Sequence, residues 1–358
     1  MSAPGPQRNE QLLHGEAPGE RLDAFMGRAN AAYYARLDPF ADFVTAPEIS
    51  QIFGEVLGAW CVVVLRSLPI PPGSPVRLVE AGPGRGTLMA DMLRVFARLA
   101  PECLSGLSVH LIETSPRLRE AQKVALAKCA VTVCWHDALS DVPSGPTILV
   151  ANEFLDALPI RQFVRTGAGW QERFVQAGQW SLRECSDVPP EVTTRGAGIG
   201  DVVEISPVSA GFVRDVADRL CKTSGVALFI DYGTAASCVG ESLQALRQGR
   251  PVSALVEAGT ADVTAHVDFA AMARAAEAAG AVCCGPVGQG ELLRALGAVQ
   301  RAEALCRSAP EQAGMIRSGL DRLIGPDRMG RLFKALTVAS PDVTVVPGFS
   351  EKIAGEQQ

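Results

Sequence analysis

The sequence predicts an α/β fold: a mostly parallel, doubly wound sheet, preceded by a helical N-terminal part and interrupted by inserted hairpin and helical segments. Three observations point there. Short apolar runs alternate with helical stretches between Val76 and Ala151. Those runs are apolar on both faces, as strands covered by helices on either side must be. A glycine-rich turn, Gly82 to Gly86, stands where the first run gives way to the first helix.

Residues 21–36 and 47–68 read as helices ahead of the first strand. The second opens at Thr45-Ala46-Pro47-Glu48, an N-cap candidate followed by an early proline and a first-turn acid. PIPPGSP (69–75) then breaks the chain. The alternation runs Val76–Ala81 strand, Gly86–Ala100 helix, Ser108–Glu113 strand, Pro116–Lys128 helix, then strands Val131–Trp135 and Pro146–Ala151, with Val226–Asp231 further on. Residues 161–184 carry two glycine-bearing turns between short mixed strands and read as antiparallel hairpins. Residues 236–265 read as loop-rich, or helical around Ser242–Arg247. Val267–Gly280 and Glu291–Ile324 read as helical, with Met329 and Phe333, four apart, as core. The domain plan is a flexible tail over 1–20, a helical part over 21–72, a main domain over 73–340 with insertions near 161–224 and 236–265, and a C-terminal tail over 341–358.

Composition narrows the function. Of 358 residues, 47% are hydrophobic and 20% charged, the balance of a globular chain with a sizeable core. A net charge of −6 without a Lys/Arg tract argues against nucleic acid as a partner. The longest apolar stretch, Ile52 to Ile70, is interrupted by Glu55 and Arg66, which argues against membrane insertion. The ten cysteines are scattered without a CxxC, so free thiols and no metal site are expected. Residues 1–20 lack an apolar signal core. The expected location is the cytoplasm of a bacterium, or the mitochondrial matrix of a eukaryote.

The glycine turn selects a ligand. A phosphate-binding P-loop needs a lysine after its last glycine, and none follows Gly86. A dinucleotide fingerprint places its third glycine one residue later, where Thr87 stands. The spacing Glu80-x-Gly82-Pro83-Gly84-x-Gly86 instead resembles motif I of class I S-adenosylmethionine methyltransferases. That resemblance implies a Rossmann-like sheet with the glycines beneath a cofactor whose sulfonium is positive, near which an acid is a sensible partner. It also implies that Glu113 grips the ribose hydroxyls and that Asp137 meets the adenine amino group. No G-x-S-x-G nucleophile elbow supports a hydrolase.

Six segments occur in one order: FVTAPEISQIFGEVLGAW (43–60), LVEAGPGRGTLMADMLR (78–94), VANEFLDALPIRQF (150–163), FIDYG (229–233), ADVTAHVDF (261–269) and GPDRMGRLFKAL (325–336). Together they resemble the MidA-type family of class I methyltransferases, over roughly residues 22–340. The mitochondrial branch of that family is known for symmetric dimethylation of an arginine on a complex I subunit. The resemblance implies S-adenosylmethionine as cofactor, a protein acceptor carrying an arginine, and a complex I subunit among the candidate acceptors. It also implies that the 21–72 helical part covers the active site, with Thr45, Pro47, Glu48 and Ser50 near the cofactor beside Glu80, Gly82, Pro83, Gly84, Gly86, Thr87, Glu113, Asp137 and Asn152. Glu153 and Asp156, following the fourth strand, are the carboxylates able to orient a planar, permanently charged guanidinium. His266 is a candidate base. Asp42 is a further candidate, and Asp231 and Tyr232 are candidates to line the pocket. Two alternatives stand beside this reading: a small-molecule methyltransferase, and a cofactor-binding assembly protein with little turnover. The oligomeric state stays open, a homodimer being one option.

Overall fold

The computed structural model describes residues 19–36, 44–71, 74–255 and 258–349. The chain opens with β1 (Glu20–Arg21), α1 (Leu22–Arg36), α2 (Ala46–Ile49) and α3 (Gln51–Ser67). The single helix expected over 47–68 is broken at Ser50. Its extended backbone (φ −160°, ψ 132°) stops α2, and its hydroxyl accepts a hydrogen bond from the Ile52 N–H at 3.3 Å to start α3.

The alternating region follows as β2 (Val76–Ala81), α4 (Thr87–Leu99), β3 (Leu107–Ile112), α5 (Pro116–Leu126), β4 (Thr132–His136) and β5 (Thr147–Asn152). Next come β6 (Arg161–Thr166), β7 (Gly169–Gln176), β8 (Gln179–Glu184), α6 (Pro190–Thr193), β9 (Val202–Ile205), α7 (Pro207–Thr223) and β10 (Gly225–Thr234). The remainder is β11 (Gln244–Arg247), β12 (Arg250–Val252), β13 (Asp262–Thr264), β14 (Val267–Asp268), α8 (Phe269–Ala278), β15 (Val282–Gly288), α9 (Gln289–Ala295), α10 (Ala298–Ser308), α11 (Ala313–Ile324), α12 (Met329–Leu332) and β16 (Phe333–Ala339).

The main sheet has the order β15-β16-β10-β5-β2-β3-β4. Its pairings from β10 to β4 are all parallel, while β16 runs antiparallel to both β10 and β15. The chain steps outward from β2 to β3 and β4, then returns to the other side of β2 as β5. That reversal is the topological switch point at which ligands bind in open α/β sheets. Successive strand residues serve opposite faces. Leu78, Val109, Ile148 and Leu228 pack with α3 and α4 on one side, and Val79, Leu149 and Ala227 with α7 and α8 on the other. Helix α3 lies close on α4 because Gly58 has no side chain; a Cβ there would sit 2.9 Å from the Met92 Cα.

Several expectations change. The hairpins of 161–184 are present as a meander, but the helix α7 belongs to the main sheet's crossover, so the first insertion ends near β9. Gln244–Arg247 is a strand in a three-stranded sheet of order β12-β11-β13, not a helix. Gln248 and Gly249 both take positive φ (52° and 67°), the signature of a tight hairpin turn whose twist suits two paired strands. The helical span 291–324 is cut at Gly297 (φ 89°) and again near Pro310. Met329 and Phe333 do pack on the core, yet Phe333 opens strand β16, so no shared helical face brings them there. Within the C-terminal segment, Val343 and Phe349 are buried and the Pro347 carbonyl accepts a hydrogen bond from Trp60 Nε1 at 3.1 Å. That part of 341–358 is packed rather than a tail.

The 21–72 region divides by role. Helix α3 is a layer of the main domain, whereas α1 bridges to the inserted sheets. The Asn30 amide donates to the carbonyls of Ala157 (2.9 Å) and Val263 (2.7 Å), and its oxygen accepts from the Val263 N–H (3.1 Å). Tyr34 donates its hydroxyl hydrogen to Asp262 Oδ1 at 2.8 Å, and Ser115 Oγ donates to the Tyr34 carbonyl at 2.9 Å. Replacing Asn30 with Ala strands a buried N–H and two carbonyls, so Asn30→Ala is expected to lower the unfolding free energy by about 1–3 kcal/mol. Urea denaturation measures it, and a loss below about 0.5 kcal/mol would mean that these bonds do not hold α1 in place.

Candidate active site

The carboxyl ends of β2, β3, β4 and β5 open into a cavity of about 610 Å³, walled on one side by Gly27, Asn30, Ala31 and Tyr34 of α1. The volume suits a small-molecule ligand. Beneath it runs the glycine turn, with φ of +66°, +54° and +83° at Gly82, Gly84 and Gly86, which side chains rarely adopt. A Cβ on Gly82 would also lie 2.8 Å from the Phe154 ring. Pro83 lines the cavity with Gly82 and Gly84, but Gly86 does not. A Cβ at Gly86 would press on Gln122 Cα at 3.3 Å, so that glycine serves helix packing.

Glu80 is 3% exposed, and its Oε2 has no hydrogen-bond partner among the described residues. Burial pushes its carboxyl up to about 8. Glu113, just past β3, accepts from the Ser115 N–H (2.7 Å) and from Gln122 Nε2 (3.2 Å); burial raises it too. Gln122 donates as well to the Gly84 carbonyl at 2.8 Å, so one side chain braces both the turn and the acid. Asp137 stands exposed at the rim, where Arg119 Nη2 donates to its Oδ1 at 2.7 Å.

From the N-terminal part, Thr45, Pro47 and Glu48 line the cavity. Thr87 Oγ1 donates to Glu48 Oε1 at 2.5 Å, tying α2 to α4. The Thr45 side chain does not cap α2. The Ala46 N–H donates instead to Glu153 Oε1 at 2.9 Å, and Asn152 Nδ2 donates to the same oxygen at 3.1 Å. Asn152 is 8% exposed and lines the cavity, and its Oδ1 has no partner among the described residues. Glu153 also lines it, at φ +52°, and burial pushes its carboxyl up to about 7.

Besides Gly86, the proposed site residues Ser50, Asp156, Asp231, Tyr232 and His266 do not line the cavity. Ser50 is spent on capping α3 and does not line the cavity. Asp156 is 7% exposed and lies behind the wall; burial first, then the charges of Asp231, Asp262 and Glu153, holds its carboxyl well above the usual range. His266 lines a separate pocket of about 70 Å³ with Arg195, Glu204 and Asp268, and its ring stands edge-on to Tyr232 at 5.4 Å. Asp42 falls outside the described residues. Asn30, Tyr34 and Phe154 are among the lining residues met only in the structure, since an asparagine or tyrosine in a helix and a phenylalanine in a turn carry no chemical signature. Among the described residues no His/Cys/Asp/Glu group is placed to hold a metal, and no helix is long and apolar enough to cross a membrane.

A positive-φ glycine cradle, two orphaned buried acceptors (Glu80 Oε2 and Asn152 Oδ1) and an acid past the second strand fit a cationic adenosine ligand better than a phosphate. Sheet order and cavity together define a class I methyltransferase fold with its ligand at the switch point. The chain belongs to the Methyltransf_28 family of S-adenosyl-L-methionine-dependent methyltransferases, whose model matches residues 56–287. It is 35% identical over 344 residues to the mitochondrial protein arginine methyltransferase NDUFAF7 of Xenopus tropicalis, covering 86% of this chain and 77% of that protein. It is likewise 35% identical to the Drosophila melanogaster homolog, over 96% of this chain and 87% of that one. A Burkholderia thailandensis crystal structure bound to S-adenosyl-homocysteine superposes with a TM-score of 0.78 at 26% identity, covering 92% of this chain and 90% of that chain. The chain is therefore an S-adenosylmethionine-dependent methyltransferase.

Unfolded, Glu80 ionises near 4.5; folded, it keeps its proton up to about 8. Between those values the folded state binds more protons, so stability falls as pH rises through that window. Glu80→Gln removes this share of the decline, while the other buried acids keep theirs. Urea unfolding of the ligand-free protein at pH 5 and pH 8 is expected to show a shallower fall in the variant; equal falls would mean that Glu80 ionises normally.

Proposed function

We propose that this methyltransferase N-methylates arginine on a protein acceptor. The observation that carries the reading is Glu153, a carboxylate held at the carboxyl end of β5, lining the cavity beside the unpartnered Asn152 Oδ1. A guanidinium is planar and permanently charged, so pointing one nitrogen at a methyl donor requires fixed acceptors around it. Glu153 Oε1 is engaged by Ala46 and Asn152, so Oε2 is the oxygen offered to the acceptor. The names of the mitochondrial relatives support arginine as the acceptor residue.

The cofactor supplies a methyl group on positively charged sulfur. The chain's own residues do the rest. Glu153 orients the nitrogen and takes the proton that it loses as its N–C bond forms, a task suited to a carboxyl that titrates at about 7. Tyr34 and the rest of the α1 face cover the cavity and keep water from the reacting atoms. We assign Glu80, Gly82 and Gly84 to the methionine portion, Glu113 to the ribose and Asp137 to the adenine, with Thr45, Pro47, Glu48 and Thr87 closing the same side. Asp156 stands behind the wall and has no contact with either substrate. On the family resemblance we assign the acceptor to a subunit of complex I, met in the cytoplasm of a bacterial cell or the matrix of a mitochondrion.

Two measurements test this. Calorimetric titration with S-adenosylmethionine is expected to show one site, and its absence at millimolar ligand would sink the cofactor assignment. Methyl-labelled cofactor incubated with lysate from a strain lacking the enzyme is expected to label protein at arginine; label confined to small metabolites would overturn the protein acceptor. In the same assay Glu153→Gln should lower the labelling rate by at least about a hundredfold with cofactor affinity retained.

A further inference from the structure

Strand β5 ends at Asn152, and residue 153 keeps one more ladder bond, its N–H donating to the Ile230 carbonyl at 2.9 Å. Glu153 then enters the left-handed region at φ +52°, which a residue with a Cβ rarely adopts. The next three N–H groups, of Phe154, Leu155 and Asp156, converge on a single oxygen, Asp231 Oδ2, at 3.1, 2.9 and 3.2 Å. The other oxygen, Oδ1, accepts from the Tyr232 N–H at 2.9 Å. Converging N–H groups of this kind ordinarily form a nest for a bound anion. Here a carboxylate from the neighbouring strand β10 fills the nest. Asp231 is 1% exposed and does not line the cavity, so it touches neither cofactor nor acceptor.

We propose that Asp231 is a positioning residue for methyl transfer: it pins the 154–156 turn, which keeps Glu153 in its left-handed conformation with its carboxylate at the cavity. Without those three bonds the turn has no reason to hold residue 153 at positive φ, and the backbone relaxes toward the ordinary extended region. The inference rests on the assignment of Glu153 to the acceptor. After burial, the nearby Glu153 carboxylate holds the Asp231 carboxyl up, so the turn, not an attractive contact, links Asp231 to Glu153.

The test is a double-mutant cycle, read as the initial rate of tritium transfer from methyl-labelled S-adenosylmethionine into protein of a lysate lacking the enzyme. Asp231→Ala is expected to slow transfer by about a hundredfold, the scale of a 1 Å misplacement. Asp231→Asn should fall between: its oxygen replaces Oδ2, but its amide then faces the Tyr232 N–H. On a Glu153→Gln background, Asp231→Ala should slow transfer by less than about threefold further, because the residue it acts through is already disabled. Calorimetry with S-adenosyl-homocysteine should give affinities within about threefold of wild type for every variant. Multiplying losses in the double variant, an unchanged rate in Asp231→Ala, or a cofactor affinity lost along with the rate would each overturn the proposal. Should Asp231→Ala fail to fold, Asp231→Asn carries the same cycle. A wild-type rate in Glu153→Gln alone would overturn the Glu153 assignment, and the inference with it.

Discussion

Strands β2 and β5 lie side by side in register, yet the chain leaves their carboxyl ends for opposite faces of the sheet. That parting is the constraint on which the rest depends. It opens a crevice that neither connection can fill, and it places the Gly82–Gly86 turn on one lip and the Asn152–Asp156 turn on the other. The price is electrostatic: Glu80, Glu153, Asp156 and Asp231 all gather in or behind the crevice, and burial lifts every one of them above the usual carboxylate range. Such a site is relieved by positive charge. The sulfonium of the cofactor is such a charge, and the guanidinium of the proposed acceptor is a second, which a surplus of acids favours in the same way.

The inserted segments find their use in that crevice. Taken alone, the meander of β6 to β9 and the small sheet of β11 to β13 add nothing to the main sheet. They do supply a seat for α1: β1 pairs with β7 ahead of it, and Asn30 and Tyr34 bond to the β13 region along it. Because Tyr34 also accepts from Ser115, α1 is tied to the main domain beside Glu113 as well as to the insertions. The helix is thus a fixed wall, carrying Gly27 and Ala31 toward the cavity where larger side chains would fill it.

How much of this could be read from residues alone follows from which interactions are local. The strands β2, β3, β4 and β5 were legible within a residue or two because their apolar runs and flanking turns are encoded next to one another. The glycine turn and Glu153 were legible because spacing and residue type carry their chemistry. Strands β15 and β16 were not: VCCGPVG is only partly buried, and Phe333–Ala339 continues directly from a helix-like start, so only their pairing with each other and with β10 defines them. Ser50 and Gly86 were credited with ligand contacts because they sit inside informative motifs, whereas a helix cap and a helix packing contact use them up. His266 is a candidate base by residue type alone, since an imidazole changes charge near neutral pH, but the ring of Tyr232 stands at its edge and its pocket is a different one.

The hydrogen bonds around Glu153 also determine which of its atoms does the work. Oε1 receives two donors, the Ala46 N–H and the Asn152 amide, and an oxygen in that position cannot itself carry the proton without losing one of them. On the proposed role of Glu153, the basic atom is therefore Oε2. The same two bonds fix the carboxylate plane, since rotating it would free the first N–H of α2 and leave the Asn152 amide unsatisfied. Asn152 lines the cavity with its amide nitrogen committed to Glu153, and its buried Oδ1 is left without a partner among the described residues. One strand end thus offers two acceptors of different kinds, a carboxylate oxygen able to take a proton and an amide oxygen that cannot. On the proposed assignment, the guanidinium nitrogen that faces Oε2 is the one that gives up its proton and reacts.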